Sequence, residues 1–368
     1  MTSDLPLTDD FESIVLNQVP LIDVRAPIEF QQGAFEHSVN LPLMNDAERE
    51  QVGRCYKEQG QKAAIQLGHE LVNATIREPR IDAWQAQLKA QPETLLYCFR
   101  GGMRSQIAQQ WVAERGLSVP RIKGGYKAFR RYLLDYLQSF PETVHQTGTQ
   151  IWVIAGRTGS GKTRLLERLA HSLDLEKLAH HRGSAFGRHV TPQPTQIDFE
   201  NRLAAELIRR LHQSRHLVVE DEAGHIGSVN LPHPVHNAFQ SGQRVLLETP
   251  LDQRVEITFD EYVIQAQQAY PDQSAWAEFM RQAFYRIRKR LGGERYQRVL
   301  QAFDQAEALQ LKQANPNAHR RWIEILLQEY YDPMYDYQMK KHPKTFQFRG
   351  NMQALQAFMA DQTNVETG

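Results

Sequence analysis

The stretch GRTGSGKT, Gly156 to Thr163, fits G-x-x-x-x-G-K-[ST] at every fixed position and constrains the fold more than any other part of the chain. The β-branched, apolar run IWVIA precedes it, and RLLERLAHSL, with helical spacing, follows. Strand, glycine loop and helix in that order imply a parallel sheet with crossover helices. Gly156, Thr158, Gly159, Ser160 and Gly161 let backbone N–H groups converge on phosphate oxygens at a helix N-terminus, where the dipole favours negative charge. Lys162 would reach the terminal phosphate, and Thr163 could hold Mg2+ through its hydroxyl. A metal there calls for an acid at the end of a neighbouring strand. LVVEDE supplies Glu220, Asp221 and Glu222. The apolar run points to Asp221 or Glu220, and Asp221 is the metal candidate taken with Thr163.

A second α/β segment lies upstream, at about residues 10 to 137. VPLIDVR reads as a buried strand and TLLYC as a second, ending at a cysteine. SQIAQQWVAERG has helical spacing and closes on Gly116, and VPRIKGGYKAF reads as strand, glycine turn and helix. The polar PETVHQTGTQ, 141 to 150, reads as the linker. The expected domains are therefore 1–140 and 148–368, a size at which each buries its own core. Beyond about Asp272 the chain reads as mostly helix. With 41% hydrophobic and 23% charged residues and no apolar run near the roughly 20 that span a bilayer, the expectation is a soluble, cytoplasmic protein with no membrane partner.

Cys55 and Cys98 are the two cysteines, too few for a secreted disulfide framework and without zinc-ligand spacing. Free thiols are expected. LLYCFRGGMRS, 95 to 105, allows three readings of Cys98: a buried core thiol, a phosphatase nucleophile, or a carrier of sulfur or selenium. Gly101 and Gly102 permit a tight curve whose amides form an anion nest, and Arg100 and Arg104 add positive charge, which favours a thiolate or persulfide. Cys55, in RCYKEQG, lacks such surroundings and reads as structural.

Forty-three basic and 43 acidic residues leave no global field for nucleic acid. Locally, RQAFYRIRKRLGGERYQR (281–298) has seven basic residues against one acid, Glu294. It is either a solvated helical face or an RNA contact through Arg286, Arg288, Lys289 and Arg290. Tyr285 and Tyr296, and the later His319, Arg320, Arg321 and Trp322, suit base stacking in the second reading.

The first segment resembles the rhodanese family. Asp23-Val24-Arg25, Glu29-Phe30, Gly33 and Asn40-Leu41-Pro42 match its elements, Cys98 falls at its sulfur-carrying position, and Gly124-Gly125 at its late double-glycine turn. Asp23 and Arg25 then read as braces of the fold. The cysteine loop is one residue longer than the common rhodanese form. Its Cys-x5-Arg spacing is that of cysteine-dependent phosphatases, and a wider loop would admit a tetrahedral anion.

The fusion of this segment to a phosphate-loop segment resembles the tRNA 2-selenouridine synthase family over essentially the whole chain. The shared blocks are CFRGGMRS, GGYKAFR, HHRGSAFG (180–187), FENRLAAE (199–206), EYYDPMY (329–335) and the insertion from Glu48 to Gly68. One block departs: in EDEAGHIG, Ala223 and Gly224 stand where Ser-Arg is expected. The resemblance implies a rhodanese-like domain plus a P-loop NTPase-like parallel-sheet domain with a helical extension. It implies a transferase that acts on the wobble 2-thiouridine of tRNA anticodons through an S-geranyl intermediate, with geranyl diphosphate and selenophosphate as substrates and a selenophosphate-supplying enzyme as partner. Cys98 would be catalytic, with Arg100, Gly101, Gly102, Arg104 and Ser105 holding the selenophosphate oxyanion. A rhodanese–kinase fusion and a phosphatase are the rival classes.

Overall fold

The computed structural model describes residues 5–341 and 343–364. The chain divides into two compact units, Met1–Ser139 with Thr195–His212, and Phe140–Pro194 with Gln213–Gly368.

The first unit is a five-stranded sheet of β1 (Leu7–Thr8), β2 (Leu21–Asp23), β3 (Ser38–Asn40), β4 (Leu95–Tyr97) and β5 (Arg121–Ile122). The order is β1-β5-β4-β2-β3, and every pairing is parallel. β2 and β4 are buried along their whole length, as strands covered on both faces must be. Ile22, Leu96, Trp84, Ala108 and Val112 build the core. Asp23 and Arg25 pair inside it, Nη2 to Oδ2 at 2.6 Å, and Arg25 also donates to the Gly33 carbonyl and lies 3.9 Å over the Tyr126 ring. Breaking such a buried pair costs about 3–5 kcal/mol, so the two residues hold the strand end in place.

The helix Gln196–Gln213 comes from far downstream yet seats on this unit. Ala34 N–H donates to Asp198 at 2.8 Å, Asn201 donates to the Ala34 carbonyl, and Arg130 pairs with Glu200. A Cβ on Gly33 would stand 2.3 Å from Ile197 Cγ2, so only glycine admits the helix. FENRLAAE, read from sequence as part of the second segment, thus belongs to the first unit. The insertion forms the helix Asp46–Leu71, opened by an Asn45/Glu48 capping box and broken at Gly60, where φ is 83°.

The second unit contains β6 (Gln150–Gly156), β7 (Ser172–Leu173), β8 (His216–Glu220), β9 (His225–Ile226), β10 (Val229–Asn230), β11 (Gln243–Leu247) and β12 (Phe348–Gly350). β9 and β10 form a small antiparallel pair; the others form a parallel sheet in the order β12-β11-β6-β8-β7. β6, which feeds the phosphate loop, is central. The C-terminal helices bury their own aromatic cluster of Trp276, Phe284, Phe303 and Trp322. Phe284 meets Trp322 edge-on at 5.5 Å.

Two local expectations are corrected. Residues 141 to 150 are not a linker: Phe140–Thr147 is a helix, anchored by fully buried Phe140 edge-on to Phe239, and Gly148 (φ 66°) ends it. The helix after the phosphate loop spans Lys162–Leu166 only. Ser172 Oγ donates to the Leu166 carbonyl at 2.7 Å and turns the chain into β7. Both thiols are free, and among the described residues no helix is long and apolar enough to cross a membrane.

Candidate functional site

In the first unit the cysteine loop leaves β4 and enters the helix Met103–Glu114. Cys98 is 3% exposed; its Sγ lies 3.2 Å from Ser105 Oγ, which donates to the Gly102 carbonyl at 2.9 Å. That hydroxyl can rotate to donate to a sulfur anion instead. The loop is locked by the double-glycine turn. Tyr126 N–H donates to Cys98 O at 2.8 Å and Lys127 N–H to Phe99 O at 2.9 Å. A Cβ on Gly125 would sit 2.2 Å from Cys98 O, and one on Gly101 2.8 Å from Gly124 N. Gly101, Gly124 and Gly125 also hold positive φ, so all three need glycine. Gly102, within the longer loop, differs: a Cβ there meets nothing within 4 Å.

The arginines do not share one role. Arg104 is committed to Glu29, Nη1 to Oε2 at 2.5 Å, and Glu29 also pairs with Arg49. One carboxylate thus serves two guanidinium groups, which leaves a net positive charge beside the loop. Arg100 is exposed beside Phe99. Arg121, which the sequence reading passed over, is 6% exposed, donates to the Gly101 carbonyl at 2.8 Å and pairs with Gln109. Burial lowers its pKa, while the nearby Cys98 charge pulls it up. No spacing rule in VPRIKGG pointed to it.

In the second unit the phosphate loop opens on a cavity of about 620 Å3. Gly159 (φ 75°) and Gly161 (φ 85°) hold left-handed conformations, and a Cβ on Gly156 would strike Ser160 Oγ at 2.6 Å. Lys162 Nζ donates to the Gly156 carbonyl at 3.3 Å. Arg254 supports the loop, Nε to the Thr158 carbonyl at 2.9 Å, and is itself held by both carboxylate oxygens of Asp332. That contact explains part of the EYYDPMY block. HHRGSAFG supplies the facing wall, His180 to Ser184. A Cβ on Gly183 would lie 2.0 Å from Glu176 Oε1.

The cavity is basic at Lys162, Arg164, Arg168, Lys177 and Arg182, and acidic at Glu167, Asp174, Glu176, Glu220, Glu222, Asp260 and Glu261, the last two paired with Arg164. Burial, then the neighbouring Glu222 charge, pushes Glu176 up to about 8, and burial lifts Glu220 well above the carboxylate range. Glu220 Oε1 accepts from Glu176 N–H at 2.9 Å, whereas buried Oε2 has no partner. Of the two acids at the strand end, Glu220 lines the cavity. Asp221 is not among its lining residues and pairs with Lys344, so of the two acids left open by the sequence the cavity offers Glu220 rather than Asp221. The strand ends at Glu220, and a tight turn in which Glu222 N–H donates to the Glu220 carbonyl at 3.0 Å brings Glu222 to the same cavity. Among the described residues no group of three His, Cys, Asp or Glu has metal-holding geometry. The orphaned Glu220 oxygen and the Thr163 side chain line the same cavity, a donor set that fits a cation that keeps most of its water, as Mg2+ does.

The basic stretch splits across the helices Gln273–Leu291 and Gly293–Gln313. Arg281 pairs with Asp304 and Glu307, and Arg295 and Arg298 pair with Glu329. Arg286 faces the Ala185 carbonyl, and Arg288 stacks on exposed Tyr285 at 3.5 Å. Lys289 and Arg290 are exposed in the last turn. His319 and Trp322 are buried, 0% and 2% exposed, so base stacking on them is ruled out.

Residues 149–366 match the family model described as the tRNA 2-selenouridine synthase AAA domain, and residues 8–132 match the rhodanese-like domain. The chain is 57% identical to the tRNA 2-selenouridine synthase of Hydrogenovibrio crunogenus, over 98% of its own length and 100% of that protein. It is 50% identical to that of Sulfurovum sp., over 97% and 99%, and 48% to that of Serratia proteamaculans, over 95% of each.

Proposed function

The chain belongs to the tRNA 2-selenouridine synthase family, and on that basis we propose that it turns wobble 2-thiouridine in tRNA anticodons into 2-selenouridine in two steps, one per unit. In the first, the thiocarbonyl sulfur attacks C1 of geranyl diphosphate. The C–O bond breaks, pyrophosphate departs, the base loses its N3 proton, and S-geranyl-2-thiouridine results. In the second, water cleaves the P–Se bond of selenophosphate to give phosphate and hydroselenide, the hydroselenide attacks C2, the C2–S bond breaks, and the chain leaves as geranyl thiol. Alkylation is what makes the second step feasible, since a thiocarbonyl has no good leaving group.

The observation that carries this reading is the mixed-charge cavity at the phosphate loop, which suits a diphosphate accompanied by a cation better than a bare anion. Lys162 and the amides of Gly159 to Thr163 would take the phosphate oxygens. Mg2+, held by Thr163 and Glu220 through water, would draw off charge from the departing diphosphate. Arg254, fixed by Asp332, keeps the loop in shape before substrate arrives. In the first unit the Cys98 loop would receive selenophosphate and, once water has cleaved its P–Se bond to release phosphate, hold the selenium beside Cys98 as bound hydroselenide. Arg100 and the loop amides would meet the oxyanion, with Arg121 beneath them. Arg286, Arg288, Lys289 and Arg290 would meet tRNA phosphates.

The test is Lys162→Ala, incubated with 2-thiouridine tRNA and geranyl diphosphate. Removing a charge stabiliser of this kind costs about 100- to 1000-fold in rate. Geranylation at the wild-type rate would refute the part assigned to the phosphate loop.

A further inference from the structure

A second cavity, of about 180 Å3, lies in the first unit against the cysteine loop. Leu43, Val52, Ala64, Ile65, Ile107 and Trp111 form its walls, and Met103 and Arg104, the two residues that leave the loop, border it. The break at Gly60 lets both halves of the helix Asp46–Leu71 contribute, Tyr56 before it and Gln61 after it. Gln61 Nε2 meets Met103 Sδ at 3.7 Å, which ties that helix to the loop. Tyr56 and Met103 leave 59% and 38% of their surface exposed here, apolar area that a ligand would cover. The Trp111 ring, backed by Trp84 at 6.2 Å, is held in place within the core.

A cavity with so little polar lining offers nothing to a phosphate, a ribose or a base edge. It suits hydrocarbon, and at the packing density of protein interiors it holds roughly eight to ten carbon atoms. We propose that it seats the prenyl chain of the S-geranylated wobble base during selenium transfer, an inference that rests on the two-step reading above. The chain then does more than improve a leaving group: anchored beside residues 103 and 104, it fixes the base against the loop that carries selenium.

The experiment uses the full chain, selenophosphate, and tRNA bearing S-methyl, S-dimethylallyl or S-geranyl 2-thiouridine, with 2-selenouridine measured by mass analysis. The expected result is a kcat/KM for the geranyl substrate at least tenfold above that for the methyl one. Ala64→Phe, which fills the cavity, should raise KM for the geranyl substrate about tenfold and leave the S-methyl rate within twofold. Equal rates across the three substrates would overturn the inference and leave the two-step reading standing. If Ala64→Phe does not fold, the substrate series decides alone. Selenation of unalkylated 2-thiouridine tRNA, with none of the S-alkyl forms accepted, would sink the two-step reading and this inference with it.

Discussion

His319 has no exposed surface; its Nδ1 accepts from Trp322 Nε1 at 2.9 Å, and its Nε2 lies 2.9 Å from Gln310 Oε1. The neutral ring with its proton on Nε2 satisfies both contacts, while a second proton on Nδ1 would face the Trp322 N–H. Burial accordingly lowers its pKa to about 4. Between pH 6.5 and 4 the unfolded chain binds the proton and the folded one does not, so stability falls as pH falls through that window. The full effect is on the order of 3 kcal/mol. Urea midpoints taken from pH 7 to 4 should drop more steeply for the wild type than for His319→Asn, which keeps an acceptor for Trp322. Parallel curves would show that His319 does not set the slope. Position 319 also shows what a local reading misses, since a histidine near arginines and a tryptophan looked like an RNA surface and is the heart of a helical core.

Among the elements, the Cys98 loop and the Gly124-Gly125 turn act as one. Gly125→Ala would place a methyl group on the Cys98 carbonyl at a backbone angle that costs about 1–3 kcal/mol in itself. It should lower the melting temperature and abolish selenation while geranylation persists. Gly102→Ala, with open space around its Cβ, should fold as the wild type does. Equal melting temperatures for the two variants would contradict the interlocked loops. The strand–loop–helix order and both glycine-rich loops were legible in the sequence because they are local patterns with fixed spacing. Arg121 beside Cys98, Asp332 under the phosphate loop and Gln196–Gln213 seated on Gly33 were not, because each joins residues far apart in the chain. The short helix Lys162–Leu166 escaped for another reason: where propensity alone would continue it, the backbone tightens, with Arg168 N–H on the Leu165 carbonyl and Leu169 N–H and the Ser172 hydroxyl on that of Leu166.

At the scale of the molecule, the chain pairs two chemistries that need different surroundings, a buried thiol in one unit and a mixed-charge phosphate cavity in the other. On the two-step reading a single tRNA substrate would be held for both, and three of the seven basic residues between 281 and 298 are already spent on ion pairs. Replacing Arg288, Lys289 and Arg290 together should weaken tRNA binding and reduce the salt slope by roughly 2–3. An unchanged slope would remove this stretch from the RNA interface. The division of labour itself is tested most directly by Cys98→Ser, incubated with 2-thiouridine tRNA, geranyl diphosphate and selenophosphate, followed by mass analysis of the wobble nucleoside. S-geranyl-2-thiouridine should accumulate and 2-selenouridine should be absent; 2-selenouridine formed at the wild-type rate would contradict the role given to Cys98.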